Sequence, residues 1–118
     1  MDYRKDTGNK GENIAANYLL SQGFIILKKN WRHKHWEVDL IASKNKKLHF
    51  IEVKTRRNER FGKPEASIGR DKMKNLKNAA EEYLYQHPEW KYIQFDVVAI
   101  ILNYEEVKEI LLIEDVYF

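Results

Sequence analysis

Three acids, Glu37, Asp39 and Glu52, and the lysine Lys54 two places after the last fall in the stretch W-E-V-D-L-I-A-S-K-N-K-K-L-H-F-I-E-V-K, Trp36 to Lys54. Two apolar runs, Val38–Ala42 and Leu48–Val53, flank a polar link, Ser43–Lys47, which is the pattern of two short strands in a hairpin. Side chains alternate along a strand, so Glu37, Asp39 and Ile41 are expected on one face, and Leu48, Phe50, Glu52 and Lys54 on another. Carboxylates among apolar neighbours are costly unless they are paired or bind a cation. Hydrolysis of a phosphodiester suits this set. Mg²⁺ prefers carboxylate and carbonyl oxygens. It lowers the pKa of a bound water and neutralises charge on the transferring phosphate. Asp39 and Glu52 are the natural ligands, with the main-chain carbonyl of Val53 as a third. Lys54 can orient the attacking water or stabilise developing charge. Glu12 can complete the shell directly or through water. The competing reading is a structural Glu52–Lys54 ion pair or a solvated strand end. One E-x-K triplet is weak alone; it gains weight from the acid on the preceding strand and the basic loop and helix that follow.

These residues need elements to hold them. Asp6, Thr7 and Asn9 are possible N-caps, and Asn9 with Glu12 has capping-box spacing. Ile14, Ala15, Tyr18 and Leu19 recur at helical spacing, and Gly23 is a suitable stop. A helix is expected over 8–22, with Glu12 on or beside its apolar face; from the spacing alone, capping its own helix is the preferred role for Glu12. Phe24–Leu27 reads as a first strand. The segment K-K-N-W-R-H-K-H-W that follows carries four Lys/Arg, two tryptophans and two histidines and no acid. Basic residues among aromatics can contact phosphates and stack on bases. The His33/His35 pair alone is a poor metal signal, and a solvated loop is preferred there.

Thr55–Gly69 holds Gly62, Pro64 and Gly69 with four basic residues and reads as a long loop. It leaves directly from the Glu52/Lys54 strand, so it can fold over a ligand there. A second helix is expected from Arg70 or Asp71 to about Tyr85, with Met73, Leu76, Ala80, Tyr83 and Leu84 as its apolar stripe. Its lysines fit a solvated face, except that Lys72, just after the loop, is best placed to reach a site. Tyr92–Leu102 is the most apolar run and suggests a strand buried on both faces. Asp96 interrupts it, and a satisfied structural aspartate is the preferred reading. Val107–Ile113 reads as a last strand, and Val116 and Phe118 can pack back.

With 118 residues and 43% hydrophobic content, the chain suits one folded domain, 1–118. No apolar run approaches the ~20 residues of a membrane span. No secretory signal is visible after M-D-Y-R-K-D, and a cytoplasmic location without membrane contact is the expectation. The absence of cysteine excludes disulfides, thiolate metal sites and a cysteine nucleophile. The net charge of +3 is unevenly spread: residues 1–80 carry +10 and residues 81–118 carry −7. A basic portion of this kind suggests an anionic partner, most often nucleic acid, with a solvated surface as the bland alternative.

Several motifs then occur in one order: G-E-N-I-A-A-N-Y-L (Gly11–Leu19), N-W-R (Asn30–Arg32), E-V-D-L-I-A (Glu37–Ala42), I-E-V-K-T-R (Ile51–Arg56), F-G-K-P (Phe61–Pro64), Lys72 and F-D-V-V-A-I (Phe95–Ile100). Together they cover nearly the whole chain and resemble the YraN-type family, small bacterial proteins regarded as endonuclease-like and similar to archaeal Holliday-junction resolvases. The resemblance implies the restriction-endonuclease-like α/β fold with a D…(D/E)-x-K active centre. The motif acids fall on Asp39 and Glu52, the lysine on Lys54, and the N-terminal helix acid on Glu12. One position departs: the family usually has glycine before the E-[IV]-D segment, and this chain has Trp36, whose ring alters access or adds a stacking platform.

The expected architecture is a mixed central sheet flanked by one helix from each half of the chain. The first functional expectation is a Mg²⁺- or Mn²⁺-dependent DNA endonuclease, selective for branched or damaged structures. Arg32, Trp36, Arg56, Arg57, Arg60 and Lys72 would contact the nucleic acid, and the resemblance carries over a homodimer. A second expectation is a nucleic-acid-binding module of the same fold with little or no nuclease activity. A third is a protein-interaction adaptor using the acidic C-terminal part.

Overall fold

A computed structural model describes residues 3–57 and 69–116, with side chains from Lys10 onward. The described chain runs α1 (Tyr3–Ser21), β1 (Ile25–His33), β2 (Trp36–Lys44), β3 (Lys47–Arg56), α2 (Arg70–Gln86), β4 (Tyr92–Asn103) and β5 (Glu106–Ile113). The five strands form one sheet in the order β1-β2-β3-β4-β5. β1, β2 and β3 are an antiparallel meander, β3 and β4 are parallel, and β5 returns antiparallel to β4. A parallel step needs a crossover, and α2 lies in it. This is the expected α/β fold with a mixed sheet, and it is compatible with the restriction-endonuclease-like class.

Each helix covers one face of the sheet. Ala15, Ala16 and Leu19 of α1 pack with Leu40, Ala42, Ile51, Val98, Ile100 and Leu102. Met73, Leu76, Ala79, Ala80 and Tyr83 of α2 pack with Val38, Ile41, Leu48, Phe50 and Val97. Phe95–Leu102 of β4 is buried throughout, because the strand is interior and covered on both sides. No helix among the described residues is long and apolar enough to cross a membrane.

Several boundaries differ from the sequence expectation. α1 starts at Tyr3, so Asn9 lies inside the helix and the Asn9–Glu12 capping box does not form. That frees Glu12 from the capping role preferred on spacing alone. The helix ends as expected: Gly23 has φ 92°, its N–H bonds the Leu20 carbonyl at 3.2 Å, and the Phe24 N–H bonds the Leu19 carbonyl at 3.0 Å. This is a Schellman closure. β1 does not stop at Leu27 but continues through the basic aromatic segment to His33, so His33 sits on a strand and only Lys34 and His35 form the turn. The β2–β3 turn narrows to Asn45 and Lys46, both at positive φ, as tight hairpins require. Of the long loop expected over Thr55–Gly69, residues 58–68 lie outside the described residues, and Arg60 with them; Phe118 also lies outside.

Asp96 is fully buried and satisfied, as preferred. His49 Nδ1 lies 2.6 Å from its Oδ2, while Gln94 Nε2 and the Asp115 N–H donate to Oδ1 at 2.8 and 2.9 Å. The Val116 N–H also bonds the Phe95 carbonyl, and Val116 packs on the α2-side core. The tail is thereby tied to the start of β4.

α1 approaches the sheet closely at one point. A Cβ on Gly11 would overlap Thr55 Oγ1 and lie 3.3 Å from Thr55 Cβ. Gly11 therefore sets how near Glu12 comes to β3. We expect Gly11→Ala to lower stability by about 1–3 kcal/mol through overpacking. Thr55→Ala in the same chain should restore much of the loss. Chemical denaturation of the two single variants and the double variant checks this, and purely additive effects would contradict the contact.

Candidate active site

The β2–β3 ladder stops at Leu40↔Ile51. Beyond it β2 diverges, and Asp39 turns its side chain to the edge that β3 leaves open. Asp39 Oδ2 accepts the Val53 N–H at 2.8 Å. In an extended strand a residue's N–H and C=O leave on the same edge, so the Val53 carbonyl faces the same gap. Strict alternation is broken here: Val38 and Ile41, three apart, both reach the α2-side core. Opposite Asp39, between the pairs Lys29↔Leu40 and Trp31↔Val38, Asn30 has φ 51°. A left-handed residue bends β1 at low cost when it is Asn.

Glu52 projects into this bend, with a side chain 6% exposed. Burial, followed by the nearby Asp39 carboxylate, raises its pKa from 4.5 to about 7, against the opposing effect of Lys72. Burial also raises the Asp39 pKa, while the Val53 N–H and Lys72 restrain it. Their hydrogen bond makes the two acids one titrating pair, which holds a proton above the usual carboxylate range. Lys72 Nζ reaches Glu52 Oε1 at 2.5 Å. Partial desolvation opposes its charge, but Glu52, Asp39 and Glu37 outweigh this and keep its pKa above the usual lysine value.

Glu12 comes to the same end of the sheet from α1. Burial raises its pKa, a hydrogen bond from Asn30 lowers it, and Asp39 and Glu37 raise it again. Four acids, Glu12, Glu37, Asp39 and Glu52, thus share one electrostatic environment. Among the described residues, however, no three acids or histidines are close enough to form a ready metal cluster. The pair Asp39–Glu52 with the Val53 carbonyl is an all-oxygen donor set for a hard divalent cation, and a cation would offset the cost of burial that raises both pKa values. The donor chemistry therefore fits Mg²⁺ or Mn²⁺, with Glu12 further out.

The other expected site residues lie as follows. Lys54 is half-buried on β3, two residues beyond Glu52 and alongside Ala99. The ammonium bonded to Glu52 is that of Lys72. Arg32 is exposed and pairs with Glu37 at 3.0 Å, at the rim of the acid cluster. Trp36 stands at the β1–β2 turn. Arg56 is exposed at the end of β3. Arg57 turns to the β4–β5 turn, where Nη1 donates to the Tyr104 carbonyl at 3.4 Å and to Glu105 at 3.3 Å. A cavity of about 240 Å³ opens beside Glu52, lined also by His35, Glu37, Lys72, Asn75 and Leu76. Asn30, His35 and Asn75 were not among the expected site residues. An asparagine within an extended segment was the available signal for Asn30, since it marks an irregular strand.

Fold and site define a small single-sheet α/β protein with a buried carboxylate pair at a strand divergence. The chain belongs to the uncharacterised protein family UPF0102, whose family model matches residues 11–100. This is the YraN-type family that its motifs resemble. It is similar to UPF0102 proteins of Dictyoglomus thermophilum, 44% identical over 84% of this chain and 85% of the relative, and of Syntrophomonas wolfei subsp. wolfei, 42% identical over 84% and 87%. The likeness to the Caldicellulosiruptor bescii UPF0102 protein is 38% over 96% of this chain and 98% of the relative.

Proposed function

We propose that this protein is a Mg²⁺- or Mn²⁺-dependent DNA endonuclease, selective for branched or damaged structures of the kind met in repair and recombination. The observation that carries this reading is the Asp39–Glu52 pair in the gap where β2 leaves β3, with the Val53 N–H bonded to Asp39. Asp39, Glu52 and the Val53 carbonyl would hold the cation, which when bound supplies an activated water and neutralises phosphate charge. Lys54 orients the attacking water or stabilises charge at the scissile phosphate. Glu12 steadies the outer side of the site through Asn30. Lys72 holds Glu52 in place and exchanges that contact for a substrate phosphate when the cation is bound. Arg32 and Arg56 contact the strand on either side.

The Lys72–Glu52 ion pair also favours a second reading. An ammonium already seated on Glu52, where a cation would otherwise stand, lets the fold bind nucleic acid without metal, as a binding module. One experiment separates the two. Labelled linear, single-stranded, flap and four-way-junction DNA is incubated with Mg²⁺, Mn²⁺ or EDTA, with Lys54→Ala alongside to exclude a contaminating nuclease. Metal-dependent cutting that the variant loses supports the enzyme. Salt-sensitive binding with no cutting of any substrate supports the module.

A further inference from the structure

The β1–β2 turn carries a run of rings that hydrolysis leaves unused. Trp31 and His33 stack at 6.3 Å and 13°, and His33 and Trp36 at 6.1 Å and 28°. Trp31 is anchored edge-on against Tyr83 of α2 at 5.4 Å. Trp36 ends the run, partly exposed, with Lys34 Nζ 5.8 Å from its ring centroid. Its side chain forms one wall of a cavity of about 300 Å³, whose other walls are Asn78, Glu81, Glu82 and Tyr85 of α2.

This cavity adjoins the one that holds Glu52 and Lys72. His35 lines that cavity and leans on Trp36 at 5.4 Å. Along α2 the lining of the first ends at Leu76 and that of the second begins at Asn78, about 3 Å further along the helix axis. That is the scale of one nucleotide step, about 3.4 Å.

The chemistry of the walls selects the occupant. An indole face stacks on any nucleobase. Asn78 offers a donor and an acceptor to a base edge, and a carboxylate accepts from an exocyclic amino group. Glu82 is engaged by His33 Nε2 at 3.4 Å, which leaves the exposed Glu81 facing the cavity. Two glutamates repel a phosphate, so the backbone of such a strand belongs on the Lys34 side. A base paired within a duplex cannot present its face and its pairing edge together. We propose that the Trp36 cavity receives an unpaired nucleobase beside the scissile phosphate, so that the substrate carries at least one unpaired nucleotide at the cut. This rests on the nuclease reading above and adds the substrate feature it selects.

The test uses a DNA duplex with one bulged 2-aminopurine, whose fluorescence falls on stacking, and the same probe fully paired. Both are titrated with the whole chain in EDTA, so no cleavage is needed. The expected result is quenching of the bulged probe only, with about ten-fold tighter binding than to the paired duplex. Trp36→Ala should lose both the quenching and the preference for the bulged over the paired duplex, and Trp36→Phe should keep most of both. A bulged adenine should compete better than a bulged thymine, which lacks the exocyclic amino group. Equal affinity for the two duplexes, or unchanged quenching in Trp36→Ala, overturns the proposal. Trp36-dependent quenching without cleavage in Mg²⁺ would uphold the base cavity and overturn only the nuclease reading.

Discussion

Glu52→Gln is expected to lower metal-dependent DNA cleavage by at least ~100-fold, while DNA binding in EDTA stays within a few-fold of wild type. Even partners one step removed from a metal cost 10–100-fold when replaced, and a direct ligand costs no less. The amide keeps the shape of Glu52 but loses one anionic oxygen of the donor set. Binding should be spared because, on the proposed reading, phosphate contacts would come from Arg32, Arg56 and Lys72, and removal of a buried negative charge would not weaken them. Asp39→Asn should also abolish cleavage but at a structural cost, since Asp39 Oδ2 accepts the Val53 N–H at 2.8 Å. Glu52→Gln is therefore the cleaner variant. Cleavage by Glu52→Gln at wild-type rate would remove Glu52 from the chemistry.

The second large effect is on stability. The Glu52 carboxyl titrates at about 7 in the fold against an ordinary 4.5. Between these values the folded chain keeps a proton that the unfolded chain releases, so raising the pH favours unfolding. Below pH 4.5 the penalty is absent; above 7 it is fully present, on the order of 3 kcal/mol. For a domain of this size that is roughly 10 °C in Tm. In EDTA at pH 8, Glu52→Gln should therefore melt above wild type, and the difference should vanish near pH 4.5. Lys72 does not reverse this, because its side chain is 56% exposed and regains water when Glu52 is replaced. Mn²⁺ at pH 8 should raise the wild-type Tm and leave Glu52→Gln unmoved. Thermal melts at several pH values, with and without Mn²⁺, check both expectations. A wild type that outlasts Glu52→Gln at pH 8 without metal would mean that the Lys72 contact more than offsets the burial of Glu52.

Much of the candidate site was legible in sequence because both strands that carry it have one face in each core. They therefore read as short continuous apolar runs, and the acids Asp39 and Glu52 stand out within them. What alternation does not encode is the bend at Asn30 and Asp39. It depends on a single left-handed residue and on β2 leaving β3, both tertiary events. The β1 extension was hidden for a different reason. β1 is an edge strand, and edge strands carry charge on purpose, so K-K-N-W-R-H lacks the apolar signal of an interior strand. The start of α1 was misplaced because three cap-forming residues offered a local stop. Asn9 and Gly8 inside a helix cost only about 1 kcal/mol each or less, which packing of Ala15, Ala16 and Leu19 offsets. Pairings such as Lys72 with Glu52 and Arg57 with Glu105 join distant segments, and charge patterning along the chain does not reveal them.

The central claim is that Asp39 and Glu52 together hold a divalent cation. Cleavage assays depend on choosing the right substrate; metal binding does not. The most direct measurement is a calorimetric titration of Mn²⁺ into the metal-free protein at pH 8, repeated on Glu52→Gln and Asp39→Asn. One saturable site that both variants lose is the expected result. A site unaffected by either substitution, or no binding by the wild type with DNA present or absent, would contradict it.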